Sequence, residues 1–170
     1  MRIFTGRSTQ EDILNYIDSV DFDIDNFSNT VSRFLTAAEN GDTKFFKKAE
    51  HSRLQVVRRR TPQMLVDLGM TAGKPLTIGA NHLIRALVDR NVTSDAHDVG
   101  VDVMRQLPML FDEPLCAWMP ERRHLHLLLD DDAKDGSLLL CVVMKDASDG
   151  SNLIKTIYGV NISDEQSEYN

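Results

Sequence analysis

Asn152, Thr156 and Tyr158 stand at even spacing in the run from Asn152 to Gly159. In an extended strand that spacing puts their hydrogen-bonding ends on one face with Ile154, and turns Leu153, Lys155 and Ile157 to the other. A row of this kind can hold a phosphate or orient a nucleotide. His97, expected at a helix start, adds the general base or acid that such a row lacks. In RNA cleavage without a metal, a base takes the 2′-hydroxyl proton, an acid protonates the departing oxygen, and donors stabilise the charge building on phosphorus. His97, Thr156 and Tyr158 are the candidate catalytic residues for that chemistry, with Asn152 and Lys155 as candidate substrate contacts. Each also has a purely architectural reading: His97 caps its helix, Asn152 satisfies the preceding turn, and Tyr158 packs at a sheet edge.

Two further positions are candidate substrate contacts. His124, His126 and Asp130 share one face of a strand whose other face carries Leu125, Leu127 and Leu129. A His-x-His pair can bind zinc, but no third ligand stands at a diagnostic spacing, so no metal is expected and His126 is assigned to substrate instead. Arg58 opens the triplet Arg58 to Arg60 ahead of a helix N-terminus, where it could attract an anion or simply belong to a solvated charge run. Glycine-rich nucleotide loops, HExxH and serine-nucleophile elbows are absent, and no cofactor is expected.

The elements that must position these residues follow from periodicity. Ser8 and Glu11 have the form of a capping box ahead of Ile13, Leu14 and Ile17, which predicts a short helix. Asp18 to Asp25 reads as a loop. Phe27, Val31, Phe34, Leu35 and Ala38 then mark a second helix, stopped at Asn40-Gly41. Leu54 to Val57 and Leu76 to Ile78 read as short strands. Thr61 should cap, and Pro62 open, a two-turn helix that buries Leu65 and Leu68 and closes at Gly69. Leu83, Ile84, Leu87 and Val88 line a helix from near Asn81, and another helix runs from about Asp98 to Gln106, before Pro108. From Arg123 the period changes to two: Arg123 to Asp130, Ser137 to Met144 and Asn152 to Gly159 are strand-like runs separated by DDAKDG and DASDG. Helices first and an antiparallel three-stranded meander last is the α+β pattern.

At 170 residues, 42% hydrophobic and 26% charged, the chain has the size and composition of one globular domain. No apolar run approaches the roughly 20 residues of a membrane helix, and the N-terminus lacks a secretory signal. A soluble cytoplasmic protein is expected, with specialised delivery to a host or target cell left open. Cys116 and Cys141 lie in apolar stretches and read as small, unbridged core residues. The net charge of -7 argues against broad nucleic-acid binding through phosphates and leaves room for a small local site.

The blocks Thr61 to Gly69, Leu76 to Leu83, His97 ahead of Leu107-Pro108, Glu113-Pro114 and Asn152 to Gly159, in that order and spacing, resemble the C-terminal domain of phage Mu F-like (MuF) proteins. The likeness covers roughly residues 50 to 160. It departs from the family pattern at Thr156, where serine is commoner, though the hydroxyl is kept. The resemblance implies an effector or toxin-like domain of phage or mobile-element origin. It also implies a compact fold like that of barnase, EndoU, colicin and RelE nucleases. The expected organisation is an N-terminal helical region over 1–50, a MuF-like α+β domain over 51–161 packed with it as one unit, and an acidic tail over 162–170. The expected partners are an RNA substrate and an immunity or host protein. The competing reading is a non-catalytic interaction module; ADP-ribosyl transfer has no supporting signature.

Overall fold

The computed structural model describes residues 10–42, 44–45, 54–88 and 97–160, with the backbone alone over 10–21. Ser8 and the acidic tail lie outside the described residues.

The first element is one helix, α1 (Gln10–Glu39), and not two helices joined by a loop at Asp18 to Asp25. Asp23, Phe27, Val31 and Phe34 fall at helical spacing and are all buried. The acid that reads as a loop residue is therefore on the inner stripe. It is stabilised there by two arginines distant in sequence: Asp23 meets Arg58 Nε at 3.4 Å and Arg59 Nε at 2.7 Å. Farther along α1, Ser28 and Ser32 both accept from Arg105 Nη1.

The next elements are β1 (Leu54–Arg58), α2 (Gln63–Asp67), β2 (Leu76–Gly79) and α3 (Ala80–Leu87). Pro62, not Thr61, is the residue at the α2 N-cap, and no side chain caps it. Thr61 Oγ1 instead donates to Lys74 O and accepts from Asn152 Nδ2, tying the β1–β2 connection to the last strand. Leu65 is buried as expected, whereas Leu68 is half-buried. After residue 97 comes α4 (Val101–Leu110), which runs through Pro108 instead of stopping before it. The proline lacks only one donor, close to the helix end, while its ring is buried and its carbonyl accepts from Arg58 Nη1 at 3.0 Å.

Four strands complete the described residues: β3 (Cys116–Glu121), β4 (His124–Asp132), β5 (Leu138–Met144) and β6 (Asn152–Val160). They join β1 and β2 in a six-stranded sheet of order β1-β2-β6-β5-β4-β3, in which only the β2–β6 pair is parallel. The fold class is α+β with a mixed sheet, larger than the three-stranded sheet expected. The three expected runs are adjacent in it as β4, β5 and β6. The parallel pair forms because β6 inserts beside β2, and β3 adds an edge strand that sequence patterning does not mark.

One face of the sheet presents Leu125, Leu127, Leu129, Leu139, Cys141, Val143, Ile154 and Ile157 to Phe27, Val31, Leu83, Met104 and Leu107 of the helices, all in a single core. Burying apolar side chains of this size contributes on the order of 1.5–3 kcal/mol each relative to exposure. Among the described residues, no helix is long and apolar enough to cross a membrane.

Candidate functional site

The β2–β6 pairing ends at Ile78↔Ile154, yet β6 continues to Val160. The edge of β6 beyond β2 is where the polar residues gather. Gly79, the last residue of β2, is the N-cap of α3, which packs on β6. Residues 97–99 then lace back onto the end of α3: His97 N donates to Arg85 O at 2.6 Å and Val99 N to Ala86 O at 2.8 Å. That strip brings the exposed His97 ring to Tyr158, with centroids 5.7 Å apart and planes tilted by 36°. His97 thus sits in an irregular segment ahead of α4 and not at its start.

The strand does not keep strict alternation. Val143 pairs with Ile154 and Val142 with Thr156, so Lys155 is an extra residue in β6 and the register slips by one. Asn152 and Ile154 consequently point into the core while Thr156 and Tyr158 face the opposite way, which corrects the expectation of one shared face. Ile157, expected opposite Ile154, shares the core with it. The exposed Lys155 stands at the bulge.

His82 on α3 completes the cluster. Burial lowers its pKa from the ordinary 6.5, and the positive charges of Arg85, Lys155 and His97 lower it further. Its imidazole is thus biased to the neutral, proton-accepting form. Two imidazoles, a lysine, a threonine hydroxyl and a phenol therefore collect around one end of β6. Together they can accept a proton, return one, and place positive charge and hydroxyl donors near an anion.

Other candidates lie elsewhere. Asn152 is fully buried; its Nδ2 donates to Thr61 Oγ1 and Thr71 O, and its carbonyl accepts from Asp146 N. It is a structural ligand of three loops. Arg58 is 4% exposed and held by Asp23 and Asp112, so it does not face a substrate. His126 is on the same sheet face as Thr156, with Val142 of β5 between them in register, hence roughly 10 Å away at ordinary strand spacing. Its ring lies 5.5 Å from that of Trp118, and burial, followed by the nearby His124, lowers its pKa against the opposing pull of Glu121. Cys141 is buried in the core and Cys116 is exposed on β3, so only one of them is the core residue expected.

A cavity of about 600 Å³ lies between α1, the end of α3 and the start of α4. Leu35, Leu87, Val99 and Val103 line it, and its charged pair, Lys134 and Asp98, is already joined at 3.3 Å. Glu39 and Asp102 also stand on its wall, but none of the clustered groups His82, His97, Thr156 or Tyr158 does. No protein-family model, curated protein or solved structure matches this chain, and the reading of its site rests on the convergence of His82, His97, Lys155, Thr156 and Tyr158 alone.

Proposed function

We propose that the chain is an effector or toxin-like domain of phage or mobile-element origin that cleaves RNA without a metal, at the end of β6. The observation that carries the reading is the meeting of His97 and Tyr158 at 5.7 Å, two residues 61 positions apart that the folded chain brings into ring contact. In this scheme His82 and His97 divide the acid-base work. His82, biased towards its neutral form, takes the 2′-hydroxyl proton. The 2′-oxygen then bonds to phosphorus, the bond to the 5′-oxygen breaks, and His97 protonates that leaving oxygen. Lys155, Thr156 and Tyr158 hold the phosphate oxygens as charge builds. The products carry a 2′,3′-cyclic phosphate and a free 5′-hydroxyl.

The resemblance to MuF C-terminal domains supports the same direction, as does the order of a helical region followed by the consecutive antiparallel strands β3 to β6. We read this as a compact nuclease fold of the barnase, EndoU, colicin and RelE kind, carried by the part of the sheet that holds the site. A protein-interaction module is the second reading. It draws on Leu115 and Met119, 54% and 44% exposed beside the edge strand β3.

The test is incubation of RNA with purified protein in excess chelator. Cleavage with cyclic ends is expected, and His97→Ala should lower the rate on the order of 10²- to 10⁴-fold with the fold retained. RNA left intact by the wild-type protein would overturn the nuclease reading.

A further inference from the structure

The two ends of the sheet differ in their surroundings. β1 lies beside α1, whereas β3, the last strand at the other end, pairs on one side only among the described residues. Leu115, one residue ahead of β3, already runs along β4, its N–H donated to Leu128 O at 2.8 Å. Leu115, Cys116 and Met119 are all exposed. An edge strand offers N–H and C=O groups to a second strand, and proteins ordinarily blunt it with charges, prolines or a cover. Here the prolines stand at the two limits, Pro114 and Pro120, and no charged residue lies between them.

The charges are sorted to the two ends instead. Asp112 and Glu113 precede the segment, while Arg122 and Arg123 follow it, with Glu121 as the single acid on that side. Asp112 is held by Arg58, and Arg123 donates to the Lys145 and Asp146 carbonyls, which leaves the exposed Glu113 and Arg122 as the charges to meet a partner. A strand with acid at its head and base at its tail is complementary to itself when two copies run antiparallel, since each head then meets the other's tail. Parallel copies would set acid on acid and base on base.

The same arrangement suits the apolar residues. An axis at Ala117, the smallest side chain of the strand, brings Leu115 of each copy to Met119 of the other. Pro114 and Pro120, which have no N–H to give, then fall opposite each other and bracket the paired segment.

We propose that β3 is a self-association edge: two copies of this chain pair antiparallel about Ala117, joining their six-stranded sheets, with Glu113 of each beside Arg122 of the other. The partner is a second copy because the charge order of the edge complements its own reverse. The pairing is independent of the chemistry at β6, three strands away.

Sedimentation of the full chain over a range of concentrations should show a monomer–dimer equilibrium. Glu113→Arg and Arg122→Glu should each weaken it roughly 2- to 30-fold, because symmetry removes two exposed ion pairs at once. Both reversals in one chain should restore it, and added salt should narrow all these differences. Leu115→Glu should leave a monomer whose circular dichroism matches wild type. In this register the two Cys116 Cα atoms stand roughly 8 Å apart, two residues along the strand and one strand spacing across. That is too far for a disulfide. A short bifunctional thiol reagent should therefore link two chains through Cys116, while Cys141 is buried and out of reach. A chain that stays monomeric up to about 1 mM overturns the proposal. So does a dimer that neither the single reversals nor Leu115→Glu weaken, or one that the double reversal fails to restore. Loss of a different protein partner in these variants, with the chain itself monomeric, would give the edge to that partner and overturn the proposal equally.

Discussion

Replacing Asp23 by alanine should unfold the joint between α1 and β1 more readily than any surface change could. The Asp23 carboxylate is 4% exposed and the Arg58 side chain 5% exposed, so the pair is removed from water on both sides. Losing one partner of a buried pair costs about 3–5 kcal/mol, because the other charge is left uncompensated. Here Arg58 keeps Asp112 at 3.2 Å and the Pro108 carbonyl at 3.0 Å, which places the loss near the lower bound, about 3 kcal/mol. The contact to Arg59 adds only a few tenths, since that side chain is 48% exposed and water screens it. For a chain of this length, about 3 kcal/mol corresponds to a fall in Tm of roughly 6–12 °C. Urea unfolding of wild type and Asp23→Ala, with circular dichroism to show that the helix still forms, measures it directly. The double variant Asp23→Leu with Arg58→Met should recover only part of the loss: the exchange of the pair itself for apolar groups is often neutral, but Asp112 and the Pro108 carbonyl lose their donor. An Asp23→Ala variant within about 0.5 kcal/mol of wild type would show that the ion pair does not hold α1 against the sheet.

Three more outcomes follow from the same structure. His82 is held below its ordinary pKa by burial and by Arg85, Lys155 and His97, so the native state binds fewer protons than the unfolded chain near and below pH 6.5. Tm should therefore fall between about pH 7.5 and about pH 5.5, and His82→Gln should flatten that fall; an unchanged slope in the variant would count against it. Cys116 is exposed, whereas Cys141 is buried with its thiol pKa pushed up by desolvation. A thiol reagent should label Cys116 in the native protein and Cys141 only after denaturation, as mass spectrometry of the labelled peptides can show. At Gly159 an added methyl would run into the Ser137 hydroxyl and come within 3.2 Å of the Ala133 side chain. Gly159→Ala should cost about 1–3 kcal/mol of stability in denaturant titration, and a neutral result would mean that the β5–β6 end yields easily.

Much of this fold was legible where one local period decides the structure. Leu125, Leu127 and Leu129 fall at every second position, with His124, His126 and Asp130 on the alternate ones, and the Asp- and Gly-rich turns bound β4, β5 and β6, so those strands announce themselves. Leu83 and Leu87 likewise mark α3. What was hidden depends on distant partners. Asp23 is an inner helix residue because Arg58 and Arg59 neutralise it, and nothing between Asp18 and Asp25 carries that information. The run of arginines looks solvated for the same reason. β3 escaped notice because it is an edge strand with a proline and largely exposed side chains. His97 and Tyr158 were assigned to one site from their residue types, while their contact and the orientation of their neighbours depend on the folded chain. The bulge at Lys155 has no sequence mark, and it alone moves Asn152 to the core face, away from Thr156 and Tyr158. His82 carries no signal either: a lone histidine on an amphipathic helix is ordinary until Lys155 and His97 are seen beside it.

The placement of β6 bears on how the chain comes to exist as well as on what it does. As synthesis proceeds from the N-terminus, β1 with β2, and β3 with β4 and β5, can pair before residues 152–160 are available. Those two groups of strands share no edge until β6 slides between β2 and β5. The same segment that welds them carries Lys155, Thr156 and Tyr158, and its first residue reaches back 91 positions to Thr61. Such long-range closure is slow to nucleate, and it makes assembly nearly all-or-none. A chain in which residues 152–160 are missing or not yet made therefore has neither a continuous sheet nor a complete set of site residues. Any activity of the site thus waits on the insertion of β6, the step that also joins the two halves of the sheet.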